Sequence, residues 1–196
     1  MDYSKIFELS TYSVAGLLGF GYGLKKFLKS NNNKVDNFNA IHTEIHELLT
    51  EIRLTGIAMR ATILQFHNGE YFMDGISMRK FSITHESSHR GYISQVNKFK
   101  NVLCSLFIPL LNRVVDNKPL IFAVEAMSES YAKHFFEDEN VSHYACLPLK
   151  NKGINVGFIL LQWHKDFQPE VAEHIIMDHF ESIRNSIELQ LSHQKN

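Results

Sequence analysis

Cysteine is scarce in this chain of 196 residues: there are two, Cys104 and Cys146, and they form no CxxC pair. That leaves out a paired-thiol metal or redox motif. Both lie in apolar stretches, which reads as two reduced, buried thiols in a reducing compartment. A single disulfide between them is the alternative. Net charge is lacking too, with 20 Lys+Arg against 21 Asp+Glu and a formal balance of -1. A dedicated nucleic-acid binder is usually clearly basic, so no nucleic-acid partner is expected. Internal repeats and low-complexity tracts are absent, as is a strand–helix–strand rhythm. What is present is ordinary globular composition, 44% hydrophobic and 21% charged, enough to bury a core.

The longest uncharged run is Leu9 to Leu24. Counted from Ile6 the apolar span is roughly 19 residues, near the lower limit for crossing a bilayer. Ala15, Gly19 and Gly23 put small residues on one helix face, where a second helix can approach closely. Lys25, Lys26 and Lys29 follow the run, and the positive-inside bias then places the rest of the chain in the cytoplasm. The expectation is a single-pass membrane anchor over residues 1–30, a polar linker over 31–35 and one domain over 36–196. A cleaved signal peptide and a helix buried in protein are the alternatives. The signal peptide fits less well, because the basic residues follow the run instead of preceding it.

Within the domain, Phe38, Ile41, Ile45, Leu48 and Ile52 alternate three and four apart, which predicts a helix over about 36–59. Such a stripe serves either a dimer seam or packing on its own domain. A strand is predicted over 62–67, stopped by Asn68-Gly69, and a second over 78–85. Residues 87–100 read as loop. A helix is predicted over 102–115, with Pro109 in its first turn or kinking it. Residues 120–124 are strand-like, and 128–136 read as a helix with Ser128 as N-cap. Two apolar runs, 144–149 and 156–163, flank Asn151-Lys152-Gly153 and form a β-hairpin. A last helix from Pro169 to about Leu191 carries Ile176, Phe180, Ile183 and Ile187 on one face. The order predicts an α+β fold, an antiparallel sheet flanked by helices.

Leu147-Pro148-Leu149, the turn ending at Gly153, and Val156-Gly157-Phe158-Ile159-Leu160 resemble the hairpin common in GAF domains, relatives of the PAS fold. Phe66-His67-Asn68-Gly69, with Lys80-Phe81-Ser82 and Glu86 downstream, is similar to GAF-like proteins encoded by tailed bacteriophages. The resemblance covers about residues 36–192. It implies a GAF-like fold that binds a small ligand or a partner protein, and no catalytic residues. No attachment cysteine for a bilin and no cyclic-nucleotide signature is matched, so no cofactor is expected. No catalytic output domain follows in the chain. A homodimer through the first and last domain helices is expected. The alternative is a structural or assembly component, of a phage particle or a host membrane, that uses the fold without a ligand.

Four residues lead the candidate site: Phe66, His67, Asn68 and Gly69. A polar His-Asn-Gly cluster after a buried strand offers donors and acceptors at a sheet end. Arg60, Lys80 and Glu86 join it if the first two strands converge, giving a pocket for a small polar or anionic ligand. The bland reading makes Asn68-Gly69 a turn that His67 caps. His85-Glu86-Ser87-Ser88-His89 matches the H-E-x-x-H zinc pattern, but that pattern needs a helix and this segment ends a strand. A metal hydrolase on these residues is therefore the weakest alternative. His42 and His46, four apart on the first helix, are either a metal clamp or solvent-facing. His143 and Cys146 fall on opposite faces of a strand, which argues against a thiol nucleophile.

Overall fold

The computed structural model describes residues 36–71, 77–115, 121–166 and 169–193. The predicted anchor and linker lie outside them, as does part of the connection between the first two predicted strands. The chain divides into two compact units, Met1–His42 and Thr43–Asn196. In the first, the described residues are the start of helix α1 (36–55), where the Phe38 and His42 rings lie 4.0 Å apart.

The second unit is built on one antiparallel sheet of six strands in the order β3-β2-β1-β6-β5-β4. The strands are β1 Arg60–Tyr71, β2 Ser77–Ser88, β3 Val102–Leu103, β4 Ile121–Ala123, β5 Val141–Asn151 and β6 Ile154–His164. The helices after α1 are α2 Ile108–Val115, α3 Tyr131–Asp138 and α4 Pro169–His193. The predicted α+β class and antiparallel sheet are thus observed.

Alternation sends each strand's side chains to two faces. Leu64, Phe66, Phe81, Tyr144, Cys146, Phe158 and Leu160 face one way, into a core closed by Leu110 and Val114 of α2 and Ala132 and Phe136 of α3. Phenylalanine fills this aromatic face: Phe81 lies 5.5 Å from Phe107 and 5.8 Å from Phe158, and Phe99 lies 4.8 Å from Phe135. Ala61, Ile63, Leu147, Ile159 and Leu161 face the other way and are buried as well. At this helix face Thr50 and Arg53 of α1 reach the Ser87 hydroxyl, each at 3.0 Å. Trp163 Nε1 donates to Gly56 O at 2.7 Å, and α4 packs along β5.

Several expectations change. On α1 the buried residues of the second unit are Ile45, Leu49 and Ile52, so Leu49 replaces Leu48 in the stripe. That stripe and Phe180, Ile183 and Ile187 of α4 are buried within a single chain, which makes them self-packing surfaces and not a free dimer seam. The helix ends at residue 55, not 59, because Ala58 N bonds Arg53 O at 3.0 Å and Ile57 N bonds Leu54 O at 3.2 Å, a Schellman closure. The helix predicted over 102–115 starts only at Ile108. Pro109 would clash with the carbonyl four residues back in a continuous helix, so it sits in the first turn, after β3 and a 3-10 turn, Cys104–Phe107. Ser130, not Ser128, caps α3, accepting from Lys133 N at 3.3 Å. Cys146 is buried as expected, whereas Cys104 is only half-buried; both thiols are free and both are pushed up in pKa by burial.

The hairpin is as read. Asn151 pairs with Ile154, and Lys152 and Gly153 between them have φ of 51° and 79°, the two positive values of a type I′ turn. Gly157 is needed for close approach, since a Cβ there would stand 2.2 Å from Leu64 O.

Candidate functional site

The Asn68-Gly69 pair is not a turn. Both residues continue β1, which runs to Tyr71, with a register shift between Asn68 and Tyr71. The rest of the predicted cluster divides between two ends and two faces of the sheet.

At one end His67 pairs with Lys80 across β1 and β2, on the helix face. Here lies a cleft of about 460 Å³ whose walls include Gln65, His67, Ser82, Thr84, Asn151 and Asn155, with Leu191 of α4 and Val156 as apolar contacts. Phe66 also lines it, although its ring packs on Phe158 at 5.7 Å. Asn68 is exposed and pairs with Arg79. His67 Nε2 lies 2.9 Å from Ser82 Oγ, Nδ1 lies 3.4 Å from Asn68 O, and Asn101 N donates to Ser82 Oγ at 2.8 Å. One proton arrangement satisfies all three contacts: the Ser82 hydroxyl donates to Nε2, and Nδ1–H donates to the carbonyl.

A serine beside a histidine invites comparison with a nucleophile and its base. Two features separate this pair from that role. The second imidazole nitrogen meets a backbone carbonyl, not an orienting carboxylate, and Oγ already accepts a hydrogen bond from Asn101. His67 and Ser82 both line the cleft, and Lys80 is the cross-strand partner of His67.

Arg60 and Glu86 lie elsewhere. Arg60 is roughly seven residues and 23 Å up β1 from His67. Thr62 pairs with Glu86 and Arg60 with Ser88, which puts both side chains on the aromatic face. There Arg60 Nε stands 3.0 Å from Glu86 Oε1, an ion-pair distance without the angle of a hydrogen bond. Arg60 also donates to Gln162 Oε1 at 3.0 Å and to Ile93 O at 2.8 Å. Glu86 accepts from Gln95 N at 3.1 Å and from the Ser94 hydroxyl, and Gln95 Nε2 donates to Glu139 at 2.9 Å. Arg60 is 1% exposed, and burial lowers its pKa while Glu86 and Glu139 pull the other way. Burial alone would raise Glu139; hydrogen bonds from Lys98 and Gln95 outweigh it and hold its pKa low. This network straps the segment 93–98 onto the sheet.

The zinc pattern also comes apart. A register shift between Ile63 and Leu64 leaves Thr84 as the extra residue of a bulge. His85 then pairs with Ile63 on the helix face and Glu86 with Thr62 on the aromatic face. His89 lies past the strand, its Nδ1 2.9 Å from Arg90 O. Among the described residues no three His, Cys, Asp or Glu groups could hold a metal. His143 pairs with Trp163 while Cys146 pairs with Leu160, so those two do take opposite faces.

Sequence reasoning missed Gln65, Thr84, Asn151 and Asn155. Period-two alternation from His67 reaches Gln65, and Ser82 and Thr84 alternate with Phe81 and Ile83. The two asparagines come only from the long-range β1–β6 pairing.

A six-stranded antiparallel sheet with helices on both faces is the architecture of GAF domains. The GAF domain of PixJ from Thermosynechococcus elongatus, in its blue-light absorbing form, superposes with a TM-score of 0.56 at 11% identity, covering 81% of this chain and 92% of that one. The phycocyanobilin-bound GAF domain of a cyanobacterial phytochrome gives 0.56 at 12%, covering 83% and 92%. The GAF domain/HD domain protein of Geobacter sulfurreducens gives 0.54 at 11%, covering 77% and 94%. No protein-family model matches the sequence. No curated protein is detectably similar to it. The chain has the GAF fold.

Proposed function

We propose that the chain is a non-catalytic GAF-like binding module, held at a membrane by its N-terminal segment, that takes a small polar or anionic ligand in the His67 cleft. The cleft itself carries the reading. Its volume of about 460 Å³ is that of a small-molecule site, and its polar groups converge from β1, β2 and the β5–β6 hairpin. Lys80 next to His67 favours an anion. The test is native mass spectrometry of the full chain released from nanodiscs, beside His67→Phe, which fills the cleft. A retained mass on the wild type that vanishes in the variant, with the fold kept by circular dichroism, supports the reading. Retention by both sinks it.

A second reading, a structural or assembly component, is favoured by one observation. The aromatic face is filled by the protein's own phenylalanines. A wild-type chain that carries no added mass moves the weight there.

Membrane attachment rests on the apolar run before Lys25 and on the lysines after it. Among the described residues no helix is long and apolar enough to span a bilayer. Deleting residues 1–30 is expected to move the protein from the carbonate-washed membrane pellet to the supernatant; continued pelleting would refute the anchor. In this reading the domain is cytoplasmic. Two copies pair through the first and last domain helices, α1 and α4.

A further inference from the structure

The walls of the His67 cleft are polar without being charged. Gln65, Asn151 and Asn155 bring side-chain amides, Ser82 and Thr84 hydroxyls, and His67 an imidazole; among the described residues no carboxylate, lysine or arginine lines it. Part of this set is already committed. His67 and Ser82 hold each other, Ser82 accepts from Asn101 N as well, and the Thr84 hydroxyl reaches Ile63 O at 3.4 Å. The amides are not committed: no hydrogen bond among the described residues engages the side chain of Gln65, Asn151 or Asn155. Gln65 and Asn151 are half-buried and Asn155 is exposed. These amides are what the cleft offers a ligand.

An amide carries two donors and an acceptor on one carbon. A ligand that only accepts, such as phosphate or a carboxylate, would pair with the NH2 groups and leave the amide carbonyls covered and unpaired. An ammonium ion would do the reverse. Each mismatch weakens binding. A hydroxyl both donates and accepts, so a molecule with several hydroxyls satisfies both halves of each amide. The rest of the wall suits the C–H face of such a molecule, because Val156 and Leu191 are aliphatic. Phe66, the phenylalanine of the wall, already sets its ring against Phe158 at 5.7 Å. A flat base, which is held by stacking on aromatic rings, fits this wall less well than a sugar.

We propose that the cleft binds an uncharged sugar ring, with hydroxyls on the Gln65, Asn151 and Asn155 amides and a C–H face on Val156 and Leu191. This rests on the reading of the cleft as a ligand site and names the class of ligand. Lys80 pairs with His67 across the strands but does not line the cleft. An anion that it attracts would be a substituent on the ring, not the part the cleft holds.

The test is saturation-transfer difference NMR on the full chain in nanodiscs, with empty nanodiscs subtracted. The sugar probes are glucose, galactose and mannose; acetate and adenine are the comparison probes. At least one sugar is expected to bind about tenfold tighter than either comparison probe. Its affinity is expected to hold within about twofold from roughly 0.05 to 0.5 M salt, because no charge is involved. Asn155→Leu, at an exposed position, is expected to weaken sugar binding about tenfold, and Asn155→Gln, which restores an amide, to recover part of that loss. Tighter binding of acetate or adenine that His67→Phe abolishes would keep the cleft as a ligand site and overturn the sugar. Sugar binding that Asn155→Leu leaves unchanged also overturns the proposal, as does binding by none of the probes. Binding by no probe together with no retained mass on the wild type would remove the cleft reading as well.

Discussion

Replacing Arg60 by methionine is expected to lower the domain's stability by about 3–5 kcal/mol, the loss that follows when one partner of a buried ion pair is removed. The guanidinium and the Glu86 carboxylate are 2% and 7% exposed, so water screens neither. Methionine keeps much of the volume but leaves a carboxylate facing Gln162 and the strap without its cation. It also frees Gln162 Oε1 and Ile93 O, the other acceptors of Arg60. Domains are stable by roughly 5–15 kcal/mol, so the variant stands near the edge of folding. Adding Glu86→Gln to Arg60→Met is expected to restore more than half of the loss, because a neutral amide needs no counter-charge. Urea denaturation of the single and double variants checks both statements. A single-variant loss under about 1 kcal/mol would mean that the pair behaves as a solvated one.

Gly157→Ala is expected to destabilise by about 3 kcal/mol, the upper end of overpacking. The added Cβ would stand 2.2 Å from Leu64 O and 3.0 Å from Gln65 Cα, and both neighbours are backbone of the central strand. No rotamer relieves such a clash; β1 and β6 must part, and their ladder weakens with them. Gly153→Ala is the control. That residue meets nothing within 4 Å, and its φ of 79° leaves only the conformational penalty of about 1–2 kcal/mol. Thermal denaturation of the two variants ranks them, and equal losses would show that the close approach contributes nothing.

The hairpin was the most legible part of the fold, because its signals are local. A glycine turn between two apolar runs fixes partner and register together. The two long helices were legible from their periodicity, but not the use of their stripes, since a seam facing its own sheet and one facing a second copy have the same spacing. The middle of the chain misled where short apolar runs serve several states: residues 102–107 look helical until Pro109 is seen to forbid a continuous helix. At the site, His67 and Lys80 are cross-strand partners. Arg60 and Glu86 were not separable from them by sequence, because the bulge at Thr84 and the length of β1 decide which end and face each takes. Asn151 and Asn155 reach the cleft only through contacts some ninety residues apart, and single-sequence patterns carry no such information.

The strand order has a consequence for how the domain is made. β1 sits between β2, its neighbour in sequence, and β6, whose Gln162 opposes Arg60. During synthesis the first hairpin therefore emerges with one long edge unpaired, and Thr62 to Gln65 wait for about a hundred further residues before β6 can cover them. If the N-terminal run has already entered a bilayer, that edge waits at the membrane surface, on a two-dimensional sheet crowded with other chains. A nascent domain of this topology depends on its last strand arriving, and truncations before residue 154 would leave its central edge open to foreign strands.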